Sequence, residues 1–399
     1  MARFLLIPHA PGGTLAHLAA CISVAGSLRD DGHEALFAYG GDLPGLIEDA
    51  GFEWLAVTEA TGPMSWEWFE SDEQLEGILS SQLEAIEQAR PDVCITSAGA
   101  GRLAVAAAGN RHLSLHHGLG TSPYGRRGRL RHALLGDLRR PSRALEDIRL
   151  QLRPRRRHRS GEIWRNGWIR HTGAPLDRET RATGRAELVA CTTTPLLDPA
   201  RGMPAHWRYT GPLGFSMPGG HAVEIEAGRP RAYVSQGSTG TADLLRRAVE
   251  ELAAAGFAVI ASTGGLCSAD ELAGLGEGIE AAELHDTRAE LRAADLAVIG
   301  GGHMTAMEAL RAGVPTVVLP RVSSQALSGK RAERLGTGIG LWPRVRNGAI
   351  ARAALRVHSH PRYLNRAGEV ARRLEGVIGE RDAAALAVAL SRETSQSGR

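Results

Sequence analysis

Short apolar runs typical of buried strands alternate with amphipathic helical patterns along this chain, and the alternation starts twice. In the first half, strands are predicted at residues 3–8, 34–39, 54–57, 92–96 and 112–116, with helices at 15–30, 43–50, 72–90 and 101–109. In the second half, strands are predicted at residues 231–234, 258–262, 279–282, 296–299 and 316–319. Such alternation predicts an α/β protein with two mostly parallel, doubly wound sheets.

A stretch rich in glycine and proline at residues 211–230 separates the two patterns. The length of 399 residues suits two domains of ordinary size. We therefore predict an N-terminal domain over 1–210, a hinge-like linker over 211–230, a second domain over 231–375, and a C-terminal helix and tail over 376–399. The helical pattern at 351–392 is expected to form this tail.

The composition argues against several classes of protein. No apolar run approaches the roughly 18 residues of a membrane span, and Pro8 and His9 interrupt the apolar N-terminal segment, which we interpret as a strand and not as a signal peptide. A net charge of +3 is too small to indicate a nucleic-acid partner. The four cysteines lie far apart without a CxxC pair, which favours reduced thiols and a cytoplasmic location.

The turn after the strand at 296–299 contains three successive glycines, Gly300 to Gly302, and a helix is predicted to begin near His303. The first N–H groups of a helix lack an intrahelical partner and carry the positive end of the helix dipole, so such a turn suits a phosphate. The candidate donors are the N–H groups of Gly302, His303, Met304 and Thr305 and the hydroxyl of Thr305. The alternative interpretation is an ordinary strand–helix–strand crossover with tight turns.

A second candidate cradle lies at residues 235–240, where Ser238 and Thr239 follow the first strand of the second domain. Glu308 lies about one turn into the helix that begins near His303, where its carboxylate can accept hydrogen bonds from both hydroxyls of a ribose. Two structural alternatives remain open. The cradle is also typical of a capped strand–helix turn, and an early carboxylate also complements a helix dipole.

Two passages resemble the GT-B glycosyltransferases that use nucleotide-sugars, the group of the UDP-glycosyltransferases and the antibiotic-tailoring glycosyltransferases. The C-terminal passage has the glycine turn, the motif EALRAGVP beginning at Glu308, and then Pro320 and Gln325. The N-terminal passage has a strand, a glycine loop, and His17 placed fifteen residues before Gly32. The resemblance covers most of the chain and implies the GT-B fold, in which two Rossmann-like domains face a cleft.

The resemblance also implies roles for particular residues. His17 occupies the position of the family's catalytic base, and an imidazole suits proton uptake near neutral pH. Gln325 matches the residue that contacts the hydroxyls of the donor sugar, and His9 and His117 are candidate acceptor-binding residues. The N-terminal domain would therefore bind the acceptor, and the C-terminal domain would bind the nucleotide-sugar.

Four positions depart from the family pattern. Gly300 replaces the usual histidine of the glycine turn, and Ala16 replaces the glycine before the catalytic histidine. Ser324 replaces an acidic residue before the glutamine, and Ser97 stands where many members have an aspartate that supports the catalytic histidine. A different carboxylate, the acceptor or water would then have to orient the histidine.

We therefore predict an inverting, metal-independent bacterial enzyme of the hexosyltransferase type, which transfers a sugar from a UDP- or dTDP-sugar to a small, partly apolar acceptor such as an aglycone in antibiotic biosynthesis. The nucleotide-sugar is a co-substrate, and neither a cofactor nor a metal is expected, because the chain contains no D-x-D motif. The open alternatives are a GlcNAc-type transferase with a lipid-linked acceptor, a nucleotide-sugar 2-epimerase, and a catalytically degenerate homologue that activates a partner protein.

The segment 126–159 interrupts the alternation with thirteen arginines and three acidic residues. It is either a solvated insertion or a loop that receives an acidic acceptor or makes peripheral contact with anionic lipid. Trp164 and Trp168 follow the segment, where they either line an apolar acceptor pocket or anchor the segment to the core.

Overall fold

The computed structural model describes residues 1–9, 15–59, 70–118, 159–200, 202–217, 220–224, 228–237, 239–342 and 345–397. Most of the arginine-rich segment 126–159 lies outside the described residues, and so does Ser238. The chain divides into two compact units, Met1–Gly211 with Ile378–Arg399, and Pro212–Val377. Within the described part of the chain, no helix has the length and apolar character needed to cross a membrane.

The first unit is built on a sheet of seven strands, all parallel to their neighbours. The strands are Arg3–Ile7 (β1), Glu34–Tyr39 (β2), Glu53–Ala56 (β3), Val93–Thr96 (β4), His112–His116 (β5), Leu188–Cys191 (β6) and Trp207–Tyr209 (β7). Their order across the sheet is β3-β2-β1-β4-β5-β6-β7. The chain reverses its direction of travel between β1 and β4, and open α/β sheets bind ligands beside the carboxyl ends of strands at such a reversal.

Helices cover this sheet and complete its core. They are Leu15–Asp30 (α1), Gly45–Asp49 (α2), Asp72–Ala89 (α3), Gly101–Ala108 (α4), Arg159–Thr172 (α5) and Arg178–Thr183 (α6). Trp168 is fully buried in the apolar core together with residues of α3 and α4, and Trp164 packs against the same cluster. The structure therefore shows that Trp168 anchors α5 to the core.

The second unit contains a sheet of six parallel strands in the order β10-β9-β8-β11-β12-β13. Its strands are Arg231–Ser235 (β8), Ala258–Ser262 (β9), Ile279–Ala282 (β10), Leu296–Ile299 (β11), Thr316–Val318 (β12) and Gly338–Gly340 (β13). The reversal of strand order falls between β8 and β11. The glycine turn predicted to bind phosphate follows β11, and the second predicted cradle follows β8.

The remaining helices are Ala242–Ala254 (α7), Ala269–Ala273 (α8), Thr287–Ala293 (α9), His303–Ala312 (α10), Ser323–Leu335 (α11), Ala349–Ser359 (α12), Pro361–Leu374 (α13) and Gly379–Ser397 (α14). Local sequence explains several of their ends. Gly313 and Gly336 end α10 and α11 in the left-handed conformation, with φ of 71° and 75°. Pro361 begins α13, where its missing N–H costs no helical hydrogen bond.

The structure confirms two doubly wound parallel sheets and the helical C-terminal tail. The pattern at 351–392 forms α12, α13 and α14, and α14 packs against α1 in the first unit. Three short strands, β6, β7 and β13, were absent from the prediction. A Cβ at Gly338 would lie 2.1 Å from the carbonyl oxygen of Thr316, so β13 pairs with β12 only because glycine has no side chain.

The later part of the predicted linker is fixed to the second unit. The N–H of Val223 donates to Glu290 Oε1 at 2.8 Å, and the carbonyl of Val223 accepts from Arg231 Nη1 at 2.6 Å. Glu290 and Arg231 are themselves joined in a buried ion pair. Because breaking a buried pair is costly, these bonds hold residue 223 firmly against the second unit.

Candidate functional site

In the second unit, the turns after β8 and β11 pack backbone to backbone. The N–H of Gly300 donates to the carbonyl of Ser235 at 2.9 Å, and a Cβ at Gly300 would lie 2.6 Å from the carbonyl oxygen of Gln236. No side chain fits at position 300 without displacing that backbone. The histidine that the family has at this point is therefore excluded here by the neighbouring turn, and Gly301 continues the turn with φ of 92°.

The buried amide of Gln236 lies in the turn after β8, beside Gly300. Its side chain is 1% exposed, and neither Oε1 nor Nε2 has a hydrogen-bond partner among the described residues. A buried amide without a partner costs free energy, so such groups in native proteins call for an explanation. It lies at the reversal of strand order, where open α/β sheets bind ligands.

Helix α10 begins directly after the glycine turn. Gly302 is its N-cap, is exposed, and provides no side-chain cap, so the first N–H groups face the region beyond the helix. Met304 contributes only its backbone there, because its side chain is buried. His303 and Thr305 are half-buried. The helix start thus offers backbone N–H groups, and the role of these groups and of the Thr305 hydroxyl in binding a phosphate stays a prediction.

Glu308 is buried in the same helix and faces a cation. Its Oε2 lies 3.9 Å from Arg288 Nε, and the side chain of Glu308 is 7% exposed. Gly214 leaves room for this pair, since a Cβ there would lie 3.0 Å from Arg288 Nη1 and 3.3 Å from Glu308 Oε1. The sequence did not single out Arg288, which places a positive charge beside this carboxylate.

Gln325 and Thr239 are joined to each other. Gln325 Nε2 donates to Thr239 Oγ1, and Gln325 Oε1 accepts the N–H of Arg321 at 2.9 Å. These bonds tie the start of α11 to the turn after β8. A contact of Gln325 with a donor sugar, which the resemblance implies, stays a prediction.

In the first unit, three histidines meet beside the reversal of strand order. His9 follows β1, His117 follows β5, and His17 lies in the first turn of α1. His17 Nδ1 lies 3.2 Å from His117 Nε2, and the centres of these two rings are 4.8 Å apart. The ring of His9 meets that of His17 edge-on at 5.5 Å. The sequence singled out each of these histidines, and the structure brings all three together.

The surroundings of this cluster are buried and include the cation Arg102. Burial lowers the pKa of His9 well below its usual range, and the neighbouring charges of His17 and Arg102 lower it further. Arg102 is buried and donates to the carbonyl of Ser97 at 2.8 Å. Burial also lowers the pKa of Arg102, to about 10, which still leaves it charged at neutral pH. His9 is therefore a neutral ring that packs against His17.

Ser97, which stands where many family members have an aspartate, forms hydrogen bonds to residues other than His17. Its hydroxyl accepts the N–H of His9 at 3.0 Å and forms a hydrogen bond with the buried thiol of Cys21. A Cβ at Gly99 would lie 2.2 Å from His9 Nδ1, so glycine at 99 makes room for that ring. Ser97 and Gly99 thus fix His9.

A side chain that the sequence analysis missed contacts His117. Thr192 Oγ1, just after β6, lies 3.2 Å from His117 Nδ1. Thr192 is buried, and β6 was not among the predicted strands, so no sequence signal placed it near the histidines. Across the described ranges, no group of three or more histidine, cysteine, aspartate or glutamate side chains is arranged to hold a metal ion.

Known proteins with similar sequences are glycosyltransferases. No family model matches the chain. A PGL/p-HBAD biosynthesis glycosyltransferase of Mycobacterium tuberculosis is 30% identical over 189 residues, which make up 46% of this chain and 42% of that protein. The chain therefore matches less than half of the length of this relative.

Solved structures resemble the chain over almost its whole length. The glycosyltransferase of kitacinnamycin has a TM-score of 0.72 at 21% identity, covering 96% of this chain and 98% of that one. The glycosyltransferase VinC, solved in complex with dTDP, has a TM-score of 0.67 at 18% identity, covering 98% and 100%. The chain has the GT-B fold, and the resemblance indicated by its motifs is confirmed.

Proposed function

We propose that this protein is an inverting, metal-independent glycosyltransferase. The second unit binds a UDP- or dTDP-sugar, and the first unit binds a small hydroxyl-bearing acceptor and supplies the base. The observation that carries the proposal is the turn after β11, where an uncapped helix start, the glycines and the buried amide of Gln236 lie at the reversal of strand order. Backbone donors at such a point suit a diphosphate.

The reaction follows from this division. His17 takes the proton of the acceptor hydroxyl, whose oxygen forms a bond to the anomeric carbon of the sugar. The bond between that carbon and the diphosphate oxygen breaks, and its electron pair leaves with the diphosphate. The N–H groups at the start of α10 and the Thr305 hydroxyl stabilise the charge that develops there. One displacement of this kind inverts the configuration of the anomeric carbon.

The comparisons support the nucleotide assignment. VinC was solved with dTDP, and the relative from Mycobacterium tuberculosis carries the name of a glycosyltransferase. The buried pair of Glu308 and Arg288 lies one turn into α10, where a carboxylate can bind the ribose. Glu308 would then accept hydrogen bonds from the ribose hydroxyls beside the guanidinium of Arg288.

Nucleotide binding tests the proposal directly. UDP or dTDP should bind in isothermal titration calorimetry, with the same affinity in buffer containing EDTA. Thr305→Ala should weaken this binding about 10- to 100-fold, since hydrogen bonds to charged groups contribute about 1.5–3 kcal/mol. Thr305→Ser retains the hydroxyl and is the matched control. Equal affinities of the Ala and Ser variants would contradict the assignment of Thr305, and absence of binding by either nucleotide would contradict the proposed function.

A further inference from the structure

A chain of hydrogen bonds runs from the sheet to His17. Thr192 Oγ1 donates to the carbonyl oxygen of His116 at 3.4 Å, and the backbone N–H of Thr192 donates to the same oxygen at 3.0 Å. Thr192 Oγ1 also lies 3.2 Å from His117 Nδ1. His117 Nε2 in turn lies 3.2 Å from His17 Nδ1.

These contacts allow an arrangement of protons in which His17 has a free lone pair to act as a base. A hydroxyl has a single proton, so a Thr192 that donates to His116 must accept from His117. The proton of a neutral His117 is then on Nδ1, and its Nε2 is an acceptor. His17 therefore donates from Nδ1 to His117, which places the lone pair of His17 on Nε2.

We propose that His117, held in one tautomer by Thr192, is the positioning residue that orients His17, in the role that the family resemblance gives to an aspartate at position 97. The inference rests on the proposed function, because it concerns the base of that reaction. It also explains how His17 is oriented although position 97 is a serine that binds His9 and Cys21. His117 thereby acts on the reaction only through His17.

The order of the strands places His117 where it can take the role of that aspartate. β5 and β6 are neighbours in register, with His116 opposite Cys191. His117 and Thr192 each follow these residues by one position, so they leave the sheet side by side at its carboxyl edge. His17 reaches the same edge from α1, one hundred residues away in sequence from His117. The partner of the base thus comes from β5 and not from β4.

The protons can be located without any substrate. In the wild-type protein with ¹⁵N-labelled histidine, at a pH where the imidazoles are neutral, two-bond ¹⁵N–¹H spectra should show Nδ1–H tautomers for both His17 and His117. His17→Ala and His117→Phe assign the signals. Thr192→Val should release His117 from its single tautomer, whereas Thr192→Ser should preserve it. An Nε2–H tautomer of His17 in the wild type would overturn the inference, whether or not sugar transfer is observed.

Kinetics tests the positioning role. His117→Phe should lower kcat about 10- to 100-fold, the usual cost of losing a supporting hydrogen bond, with unchanged nucleotide affinity. His117→Gln, whose amide oxygen can accept from His17, should recover part of that loss. Thr193→Val is the matched control for Thr192→Val, because it removes the adjacent buried hydroxyl, which donates to Asp198 at 3.0 Å. A wild-type kcat in His117→Phe would overturn the positioning role. A protein that binds no nucleotide would instead contradict the proposed function.

Discussion

The two sheets have the same doubly wound design, yet their carboxyl edges carry different chemistry. At the reversal of strand order in the first sheet, the rings of His9, His17 and His117 are in contact. At the same point in the second sheet, glycines bring two turns together beside the amide of Gln236. The difference teaches that the same fold can present different side chains at corresponding edges, and the proposed function assigns proton transfer to the first edge and binding of the diphosphate to the second.

The polar groups at the two edges also differ in how far they are satisfied within the protein. His17 and His117 contact each other, and Thr192 contacts His117, so the histidine cluster is connected to the sheet. The amide of Gln236 has no hydrogen-bond partner within the described part of the chain. The first edge is thus connected through side-chain contacts, while the second contains a buried amide that the proposed nucleotide site would give a partner.

The largest expected effect is on turnover, and it should distinguish the histidine edge of the first sheet from the glycine edge of the second. His17→Ala should lower turnover about 10²–10⁴-fold, because a positioned acid–base group usually contributes that much. Nucleotide affinity should be unchanged, because the proposed nucleotide site lies in the second unit. Steady-state transfer and calorimetric titration with dTDP measure the two quantities.

His360→Ala, at an exposed histidine of the second unit, is the control and should behave as the wild type in both assays. If His17→Ala keeps more than about half of the turnover, the division of labour between the two edges is wrong, because the usual loss on removing a catalytic base is far greater.

A substitution at Gln236 should have opposite effects on stability and binding. Gln236→Met removes a buried amide without a partner among the described residues, so the free energy of unfolding should rise by about 1–3 kcal/mol. The affinity for dTDP should fall about tenfold or more, because the bond to the ligand is lost. Chemical denaturation and calorimetric titration measure both.

The same exchange in the first unit provides the control. Gln82 is fully buried, and its Nε2 donates to Glu59 Oε1 at 3.1 Å. Gln82→Met breaks this bond, so it should destabilise the protein and leave nucleotide affinity unchanged. A Gln236→Met protein that loses stability while it binds dTDP normally would show that Gln236 is structural, and the contrast with the histidine edge would fail.

Much of the fold could be predicted from the sequence, because periodic apolar runs and glycine stops are local signals. The predicted bounds of α1, β2 and β5 agree with the structure to the residue. The strands β6, β7 and β13 escaped prediction because each has only three or four residues, and its identity depends on pairing with a neighbour.

Most residues of the candidate site could be predicted individually, but the contacts between their side chains could not. His9, His17 and His117 stand out as polar groups near strand ends, but their contact depends on which strands are neighbours. Thr192 is 75 residues from His117, and it follows a strand that the pattern did not reveal. Gln236 was part of a predicted cradle, and only its burial without a partner distinguishes it.

The smallest expected effect is on the stability of the protein at acidic pH. Burial lowers the pKa of His112 in β5 to about 3, with a further contribution from the charge of Arg102. The unfolded histidine has its ordinary pKa of 6.5. Between these values the unfolded chain binds a proton that the folded protein does not bind. Stability is therefore complete above pH 6.5 and declines as the pH falls, by about 1.4 kcal/mol for this histidine at pH 5.5.

His112→Gln removes the titrating group while it keeps a polar partner for Thr96, which lies 2.7 Å from His112 Nε2. Unfolding in urea at pH 7.5 and pH 5.5, followed by tryptophan fluorescence, reports mainly on the first unit, which contains six of the seven tryptophans. The variant should lose about 1.4 kcal/mol less than the wild type between these pH values, whereas His360→Gln should lose as much as the wild type. Equal losses in wild type and His112→Gln would show that His112 titrates normally in the folded protein. In that case the first unit would keep His9 neutral by burial, but it would not keep His112 of β5 neutral in the same way.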